Sequence, residues 1–149
     1  MYKQEYNRKL VSAEEAVRVV KSGDIVDYGF FNGKPVQCDL ALAARKDELK
    51  DVKVYSAVTL PPVPEVAKLR DSFTYHDWQF SKIARILQSN YELCYYSPIL
   101  YHQAPSLYRD NVAPHRNAAI SVVCPMDEHG YFNLGPQNSE TMANMEVAD

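Results

Sequence analysis

The sequence predicts an α/β protein in which a mostly parallel, open sheet is covered by helices on both faces. Three observations indicate this fold class. Short strand-like apolar runs alternate with amphipathic helix-like runs along the chain. The connections between these runs are short, as in βαβ units. Finally, a length of 149 residues, without a repeat, a low-complexity segment or an internal linker, corresponds to one ordinary domain.

The first predicted elements are a capped helix and a strand. Ser12 and Glu15 are spaced as in a capping box, in which the Ser12 hydroxyl accepts from the Glu15 N–H and the Glu15 side chain reaches back. Apolar residues then recur at helical spacing, at Ala13, Ala16, Val17 and Val20. Gly23 is predicted to end this helix, and residues 25–30 form the first predicted strand.

A second helix is predicted over residues 35–46, where Pro35 is tolerated because the first helical N–H groups have no intrahelical partner. Its core-facing stripe is predicted to contain Val36, Leu40, Ala43 and Ala44, widened by Leu42. The remaining strands are expected at 52–58, 73–78, 92–96, 117–125 and 131–134. Further helices or helical turns are expected near 65–69, 80–87 and 102–111, and from residue 139 onward.

Composition and charge exclude several classes of protein. A hydrophobic content of 46% and a charged content of 23% are typical of globular proteins. The net charge is −3 with scattered Lys and Arg, whereas a nucleic-acid-binding protein normally has a basic stripe. No apolar run approaches the roughly 20 residues of a membrane span. The first residues also lack the apolar core of a signal peptide.

The cysteines and histidines do not form a recognisable site. Cys38, Cys94 and Cys124 are odd in number and far apart, which predicts reduced thiols in a cytoplasmic protein. The four histidines have no ligand spacing to each other or to a cysteine, so no metal is expected.

Candidate binding residues cluster where the first strand meets the second helix. Ligands of open α/β sheets bind at the carboxyl ends of strands, near helix N-termini. Gly33 allows close backbone approach, and free N–H groups at a helix start can bind an anion. Asn32 and Gln37 add amide donors beside Phe31 and Pro35. The alternative is an ordinary connecting turn in which Gly33 has a positive φ, because one glycine is a weak signal.

A second, similar arrangement lies near the end of the chain. Gly135 and Asn138 lie between a predicted strand and a predicted helix, so the order of strand, glycine loop, amide and helix start is repeated. Asp127 and His129 are interpreted as residues of a hairpin turn in which Gly130 takes the left-handed conformation. The two loops could converge on one cleft, although a linear sequence does not decide this.

Other polar and aromatic residues have structural interpretations. Tyr95, Tyr96 and Tyr101, among eleven tyrosines, could line a pocket or stack on bases, but half-buried packing explains most of them. Glu140 is interpreted as a first-turn charge that complements a helix dipole. No serine or cysteine has a partner histidine at a spacing typical of a nucleophile.

Four stretches together resemble the family I coenzyme A transferases: "SAEEAVRVVKSGDIVDYGF", "NGKPVQCDLALA", "YSPILYHQAPSLYRD" and "CPMDEHGYFNLGPQNS". The resemblance covers nearly the whole chain and is greatest to acetyl-CoA hydrolases, 4-hydroxybutyrate CoA-transferases and butyryl-CoA:acetate CoA-transferases. It implies the CoA-transferase (NagB-like) fold. Family members are considerably longer and have two similar α/β halves with the active site between them. Residues 1–149 therefore resemble a truncated N-terminal domain that lacks the second, catalytic domain.

The resemblance also implies a reaction and the residues that face it. In the family, a glutamate of the second half attacks the acyl-CoA thioester, and a glutamyl-CoA intermediate is resolved by a carboxylate. No glutamate of this chain lies in the matching motif, so the chain alone is expected to be inactive. Gly33, Pro35 and Gln37 correspond to a loop facing the acyl group, and Phe31 beside Asn32 would shape the acyl pocket. Gly135 and Asn138 would line the same cleft.

The expected function is the transfer of coenzyme A, as a substrate, between an acyl-CoA and a small carboxylate such as acetate, butyrate or 4-hydroxybutyrate. The alternatives are an acyl-CoA hydrolase and a non-catalytic binding or assembly domain of the same fold; a sugar-phosphate isomerase ranks last because no suitably paired carboxylates appear. A cytoplasmic homo-oligomer without nucleic-acid or membrane partners is expected. A sheet that is cut short exposes a strand edge, so the fragment is predicted to dimerise.

Overall fold

The computed structural model describes residues 2–91 and 94–149, and this part of the chain forms one parallel sheet in the order β4-β3-β2-β1-β5. The strands are β1 (Ile25–Phe30), β2 (Val52–Ala57), β3 (Phe73–Asp77), β4 (Cys94–Tyr96) and β5 (Ala118–Ala119). The helices are α1 (Tyr2–Lys9), α2 (Ala13–Ala16), α3 (Val36–Ala44), α4 (Lys82–Tyr91), α5 (Ala104–Arg109) and α6 (Thr141–Val147). The predicted parallel α/β sheet is confirmed.

The direction of the chain across the sheet reverses beside β1. From β1 to β4 each strand is added on one side, and β5 then pairs with the opposite side of β1. The carboxyl ends of β1 and β5 therefore flank a topological switch point, where open α/β sheets bind their ligands.

Each face of the sheet has its own apolar cluster, so helices cover both faces as predicted. Val54 and Tyr55 of β2 belong to different clusters because successive strand side chains point to opposite faces. The Val54 cluster contains residues of α3 and α4, and the Tyr55 cluster contains residues of α5 and α6.

A buried ion pair lies on the face that α5 and α6 cover. Nε of Arg116 is 3.0 Å from Oδ2 of Asp27, and both side chains are almost fully buried. The Arg116 guanidinium lies over three aromatic rings, 4.3 Å from the centroid of Tyr55, 4.8 Å from Tyr108 and 5.5 Å from Trp78. The carboxylate and the ring faces together replace the water that a buried guanidinium loses.

The predicted core stripe of α3 is partly wrong. Leu40 is 47% exposed and Ala44 is also exposed, whereas Asp39, Leu42 and their neighbours Ala41 and Ala43 are buried. Asp39 takes the inner position because its carboxylate accepts hydrogen bonds from the Tyr28 hydroxyl (3.2 Å) and the Glu65 N–H (2.7 Å). Apolar spacing does not predict such a buried acid.

The N-terminal part differs from prediction in two respects. Ser12 caps α2 by accepting from the Glu15 N–H at 3.2 Å, but the Glu15 carboxylate pairs with Arg18 and does not complete a capping box. Helix α1 was not predicted; its residues are mostly polar, and its tyrosines Tyr2 and Tyr6 contact Gly130 and Phe132. No helix in the described ranges has the length and apolar character required to span a bilayer.

The C-terminal third contains less strand than predicted. Only Ala118–Ala119 of the predicted strand 117–125 is strand, and the predicted strand 131–134 is not formed. Residues 124–133 instead form a turn closed by backbone bonds, from Asp127 N–H to Tyr131 O (2.9 Å) and from Cys124 N–H to Asn133 O (2.8 Å). Gly130 has the predicted positive φ, +89°. Residues 92 and 93 of the predicted strand 92–96 lie outside the described residues.

Candidate active site

The structure brings the two predicted glycine loops into contact at the switch point. The first corner is the 3₁₀ turn Phe31–Gly33 that follows β1, and the second corner is the 3₁₀ turn Gly135–Gln137. A Cβ atom at Gly33 would lie 2.9 Å from Cγ of Gln137 and 3.1 Å from its Cδ. The two corners thus pack directly on each other, although they are distant in sequence.

The segment after β5 joins the corners. The Val122 N–H donates to the Gly33 carbonyl at 3.1 Å, and the Gln137 side-chain amide donates to the Val122 carbonyl. Oγ of Ser121 would be 3.1 Å from a Cβ at Gly33. Gly33 is therefore needed for space on two sides.

The connecting-turn interpretation expected a positive φ at Gly33, but Gly33 does not have one. Phe31 does, with a φ of 51°. The left-handed conformation is uncommon for a bulky side chain and is held only when the surroundings determine it. At the second corner, Gly135 itself has a φ of 63°.

The predicted binding residues differ in their access to solvent. Gly33 and Pro35 are buried, Phe31 and Gly135 are half-buried, and Asn32, Gln37 and Asn138 are exposed. The three exposed side chains are all amides, which can donate hydrogen bonds to an incoming oxygen. Gln37 lies on the first turn of α3, and its side chain makes no hydrogen bond within residues 2–91 and 94–149. The roles assigned to these residues remain predictions.

Three aromatic rings extend from the first corner toward the second, and we refer to Phe30, Phe31 and Tyr101 as the aromatic wall. Phe30 is buried between the other two, with ring centroids 6.3 Å from Phe31 and 6.1 Å from Tyr101. The Tyr101 hydroxyl is hydrogen-bonded to the Ser139 hydroxyl, next to Asn138. Sequence reasoning noted Tyr101 only as one tyrosine of many, and no local pattern distinguished it.

Lys34 fixes the first corner to the loop that follows β2. The residue is 7% exposed, and its ammonium donates to the Leu60 carbonyl at 2.7 Å and to the Pro62 carbonyl. Burial lowers the pKa of Lys34, and the negative charge of Asp39 opposes that shift. Sequence reasoning missed this buried lysine.

Asp77 fixes the same loop to the end of β3. Its carboxylate accepts hydrogen bonds from the N–H groups of Val58 (3.0 Å), Thr59 (3.1 Å) and Gln79 (3.0 Å). Burial raises the pKa of Asp77, and these hydrogen bonds oppose the shift. The loops after β1, β2 and β3 are consequently held together at the carboxyl ends of the strands.

Glu140 follows the second corner, at the N-cap position of α6, and its side chain is buried. It is 4% exposed, and neither carboxylate oxygen has a hydrogen-bond partner among the described residues. Burial, and then the negative charge of Asp27, raise the pKa of Glu140 to about 7. Ser121 Oγ and Asn144 Oδ1 are also buried without a partner among those residues.

The two corners and the aromatic wall together provide hydrogen-bond donors and apolar rings, and the amides of the corners are exposed to solvent. A cavity of about 450 Å³ lies between α1 and residues 126–132, but no corner residue lines it. Within the part of the chain that the structure describes, no three His, Cys, Asp or Glu side chains are grouped to hold a metal. The corners can polarise a carbonyl and contact an apolar chain.

Comparison with known proteins identifies close relatives. The family described as "Acetyl-CoA hydrolase/transferase N-terminal domain" matches residues 1–149. A butyryl-CoA:acetate CoA-transferase of Anaerostipes caccae is 40% identical over 99% of this chain and 33% of its own length. A probable butyrate:acetyl-CoA coenzyme A-transferase of Syntrophomonas wolfei is 38% identical over 97% of this chain and 32% of its own length.

The fold is also found among solved structures. The crystal structure of RipA from Yersinia pestis superimposes with a TM-score of 0.86 at 26% identity, covering 99% of this chain and 36% of RipA. The chain thus spans about a third of the length of the curated relatives that it matches.

Proposed function

Because the chain belongs to the acetyl-CoA hydrolase/transferase family, we propose that it is the N-terminal domain of a longer enzyme that transfers coenzyme A from an acyl-CoA to a small carboxylate. The proposal is carried by the contact between the two corners at the switch point. Exposed amides and aromatic rings lie near this contact, at the carboxyl ends of the strands. Two of the curated relatives are named as CoA-transferases of butyryl-CoA or butyrate, so butyrate and acetate are the first substrates to test.

The proposed reaction forms a covalent intermediate on a glutamate of the second domain. Its carboxylate oxygen attacks the thioester carbonyl, the C–S bond breaks, and CoA leaves as a thiolate with the bonding electrons. The thiolate then attacks the glutamyl carbonyl of the resulting anhydride, releasing the first carboxylate and leaving glutamyl-CoA. An acceptor carboxylate repeats these two steps in reverse order, so no oxidant or metal is needed.

The corners supply the binding surface for the acyl end of the substrate. Negative charge develops on the carbonyl oxygen as each tetrahedral intermediate forms, and an amide donor aimed at that oxygen stabilises the transition state. We assign this role to Gln37, with Asn32 and Asn138 as further donors in the same cleft. Phe31 shapes the acyl pocket, Gly33 and Pro35 belong to the loop that faces the acyl group, and Gly135 lines the same cleft. Gly33 also lets the two corners pack closely.

A hydrolase is the second candidate, because the matching family includes both activities. Water would replace the carboxylate as the group that resolves glutamyl-CoA. A full-length protein that releases CoA at the same rate with and without added carboxylate would be a hydrolase, and our assignment as a transferase would be wrong.

The test is an assay of the full-length protein with acyl-CoA donors and carboxylate acceptors, comparing Gln37→Ala with the wild type. We expect kcat to fall about 100-fold, which is typical for the loss of one oxyanion donor. Gln88→Ala, at an exposed position of α4, is the control and should be unchanged. Equal rates for folded Gln37→Ala and wild type would remove Gln37 from the mechanism.

We also propose that the full-length protein is a cytoplasmic homo-oligomer. Support for self-association of the 149-residue chain comes from β5, which pairs only with β1 among the described residues and so leaves its outer edge open. The 149-residue chain alone is expected to be inactive and to dimerise, and a monomer at high concentration in light scattering would contradict this expectation.

A further inference from the structure

Tyr101 occupies a position that joins the two corners. It lies in a turn just before α5, and the residue is 42% exposed. The ring stands edge-on to Phe30, with an interplanar angle of 87°. Phe30 is 2% exposed and contacts Phe31 on its other side. The wall therefore has a buried centre and two rings with accessible surface.

The hydroxyl group of Tyr101 fixes the free end of the wall. It is hydrogen-bonded to the hydroxyl of Ser139, a residue with a φ of 33°. A left-handed conformation is costly for serine and persists only where neighbouring contacts determine it. The ring is thus held at both ends, by Phe30 at its edge and by Ser139 at its hydroxyl.

From this geometry we propose that Tyr101 determines which acyl chain lengths the enzyme accepts. The inference rests on the proposed function, since it takes the aromatic wall as the side of the cleft that receives the acyl group. A fixed ring limits the space available to the acyl chain. In such a pocket, one methylene changes the discrimination between two substrates by about 10- to 200-fold. Removing the ring should therefore favour longer chains.

The experiment measures binding of unreactive S-alkyl-CoA thioethers with ethyl, butyl and hexyl groups to the full-length protein by calorimetry. In Tyr101→Ala, the ratio of hexyl to butyl affinity should rise about tenfold or more. Tyr101→Phe and Ser139→Ala delete the same hydrogen bond, so each should raise this ratio by the same smaller factor. Tyr131→Ala removes a 73% exposed tyrosine from the turn at 124–133 and should leave the ratio unchanged.

The outcomes separate the role of Tyr101 from the transferase reaction. A changed ratio in a protein that transfers no CoA supports the role of Tyr101 and refutes the proposed reaction. An unchanged ratio in an active enzyme refutes the role of Tyr101 alone, and a wild type that binds no thioether refutes both. If Tyr101→Ala does not fold, the Tyr101→Phe and Ser139→Ala pair decides: unchanged or unequal ratios overturn the proposal.

Discussion

The first and second corners are both 3₁₀ turns at the carboxyl ends of the strands of one sheet. They differ in how many of the buried polar groups behind them have hydrogen-bond partners. Behind the first corner, the Lys34 ammonium has two carbonyl partners. Behind the second corner, Glu140 and Asn144 have buried polar atoms without partners among the described residues. Buried polar groups are normally paired. The contacts of Lys34 are therefore expected to hold the first corner in place, whereas the second corner is expected to respond to protonation of Glu140.

The largest effect is expected from Lys34→Met. Methionine preserves much of the apolar stem but removes the ammonium, so the Leu60 and Pro62 carbonyls lose their donor. Urea unfolding should show a loss of about 3 kcal/mol, since each unsatisfied buried group costs about 1–3 kcal/mol. Lys68→Met is the control, because Lys68 pairs with Glu65 at the surface and such pairs contribute about 1 kcal/mol at most. Equal losses in both variants would show that the first corner does not depend on Lys34.

The next largest effect concerns Glu140→Gln and depends on pH. The pKa of Glu140 is raised to about 7 in the folded protein, from the ordinary value of 4.5 that holds in the unfolded chain. Below 4.5 both states are protonated and the substitution should be neutral. Between 4.5 and 7 the unfolded state releases its proton first, so wild-type stability falls as pH rises. Above pH 7 the glutamine variant should be more stable by up to about 3 kcal/mol, because each unit of pKa difference corresponds to about 1.4 kcal/mol.

Glu146→Gln provides the control for this pH dependence. Glu146 is also on α6, but it is exposed and pairs with Arg109 at 3.0 Å. Its replacement should change stability by less than about 1 kcal/mol, and in the opposite direction. Chemical unfolding of both variants from pH 4 to 9 distinguishes them. If the free energies of unfolding of wild type and Glu140→Gln changed with pH in parallel, the charged form of Glu140 would not be destabilising.

The smallest effect is expected from Gly33→Ala, which tests the contact between the corners. The added Cβ would lie 2.9 Å from Gln137 Cγ, and overpacking of this kind costs about 1–3 kcal/mol. The Gly33→Ala/Gln137→Ala double variant removes the colliding atom. It should be less destabilised than the sum of the two single variants in a double-mutant cycle. Additive losses would indicate that the corners do not press on each other.

The elements near the first corner were largely predictable from sequence, because they depend on local signals. Strand β1 has the predicted bounds, and Ser12 caps α2 as its spacing indicated. The need for a glycine at position 33 was also predicted, but its physical reason was not. A side chain at position 33 would collide with Gln137 and Ser121. These residues are distant in sequence, so their contact with Gly33 leaves no local sequence pattern.

The buried charges were not predictable. Asp39, Lys34 and Glu140 look like ordinary surface residues in the sequence, and their burial depends on carbonyls, hydroxyls or neighbours contributed by other segments. The same reason explains why Leu40 was wrongly predicted to face the core and why the burial of Asp39 was missed. The aromatic wall was missed similarly, since the partner of Tyr101 is Ser139, in a different loop.

The ring stack around Arg116 gives the protein an intrinsic optical probe. Trp78 is the only tryptophan of the chain, and it stacks on Tyr108 with a centroid distance of 5.3 Å while the Arg116 guanidinium lies over its ring. Indole emission depends on nearby charge and on solvent access. Fluorescence of the unlabelled protein should therefore report when the Asp27–Arg116 pair opens, and quenching by iodide would reveal how often water reaches it.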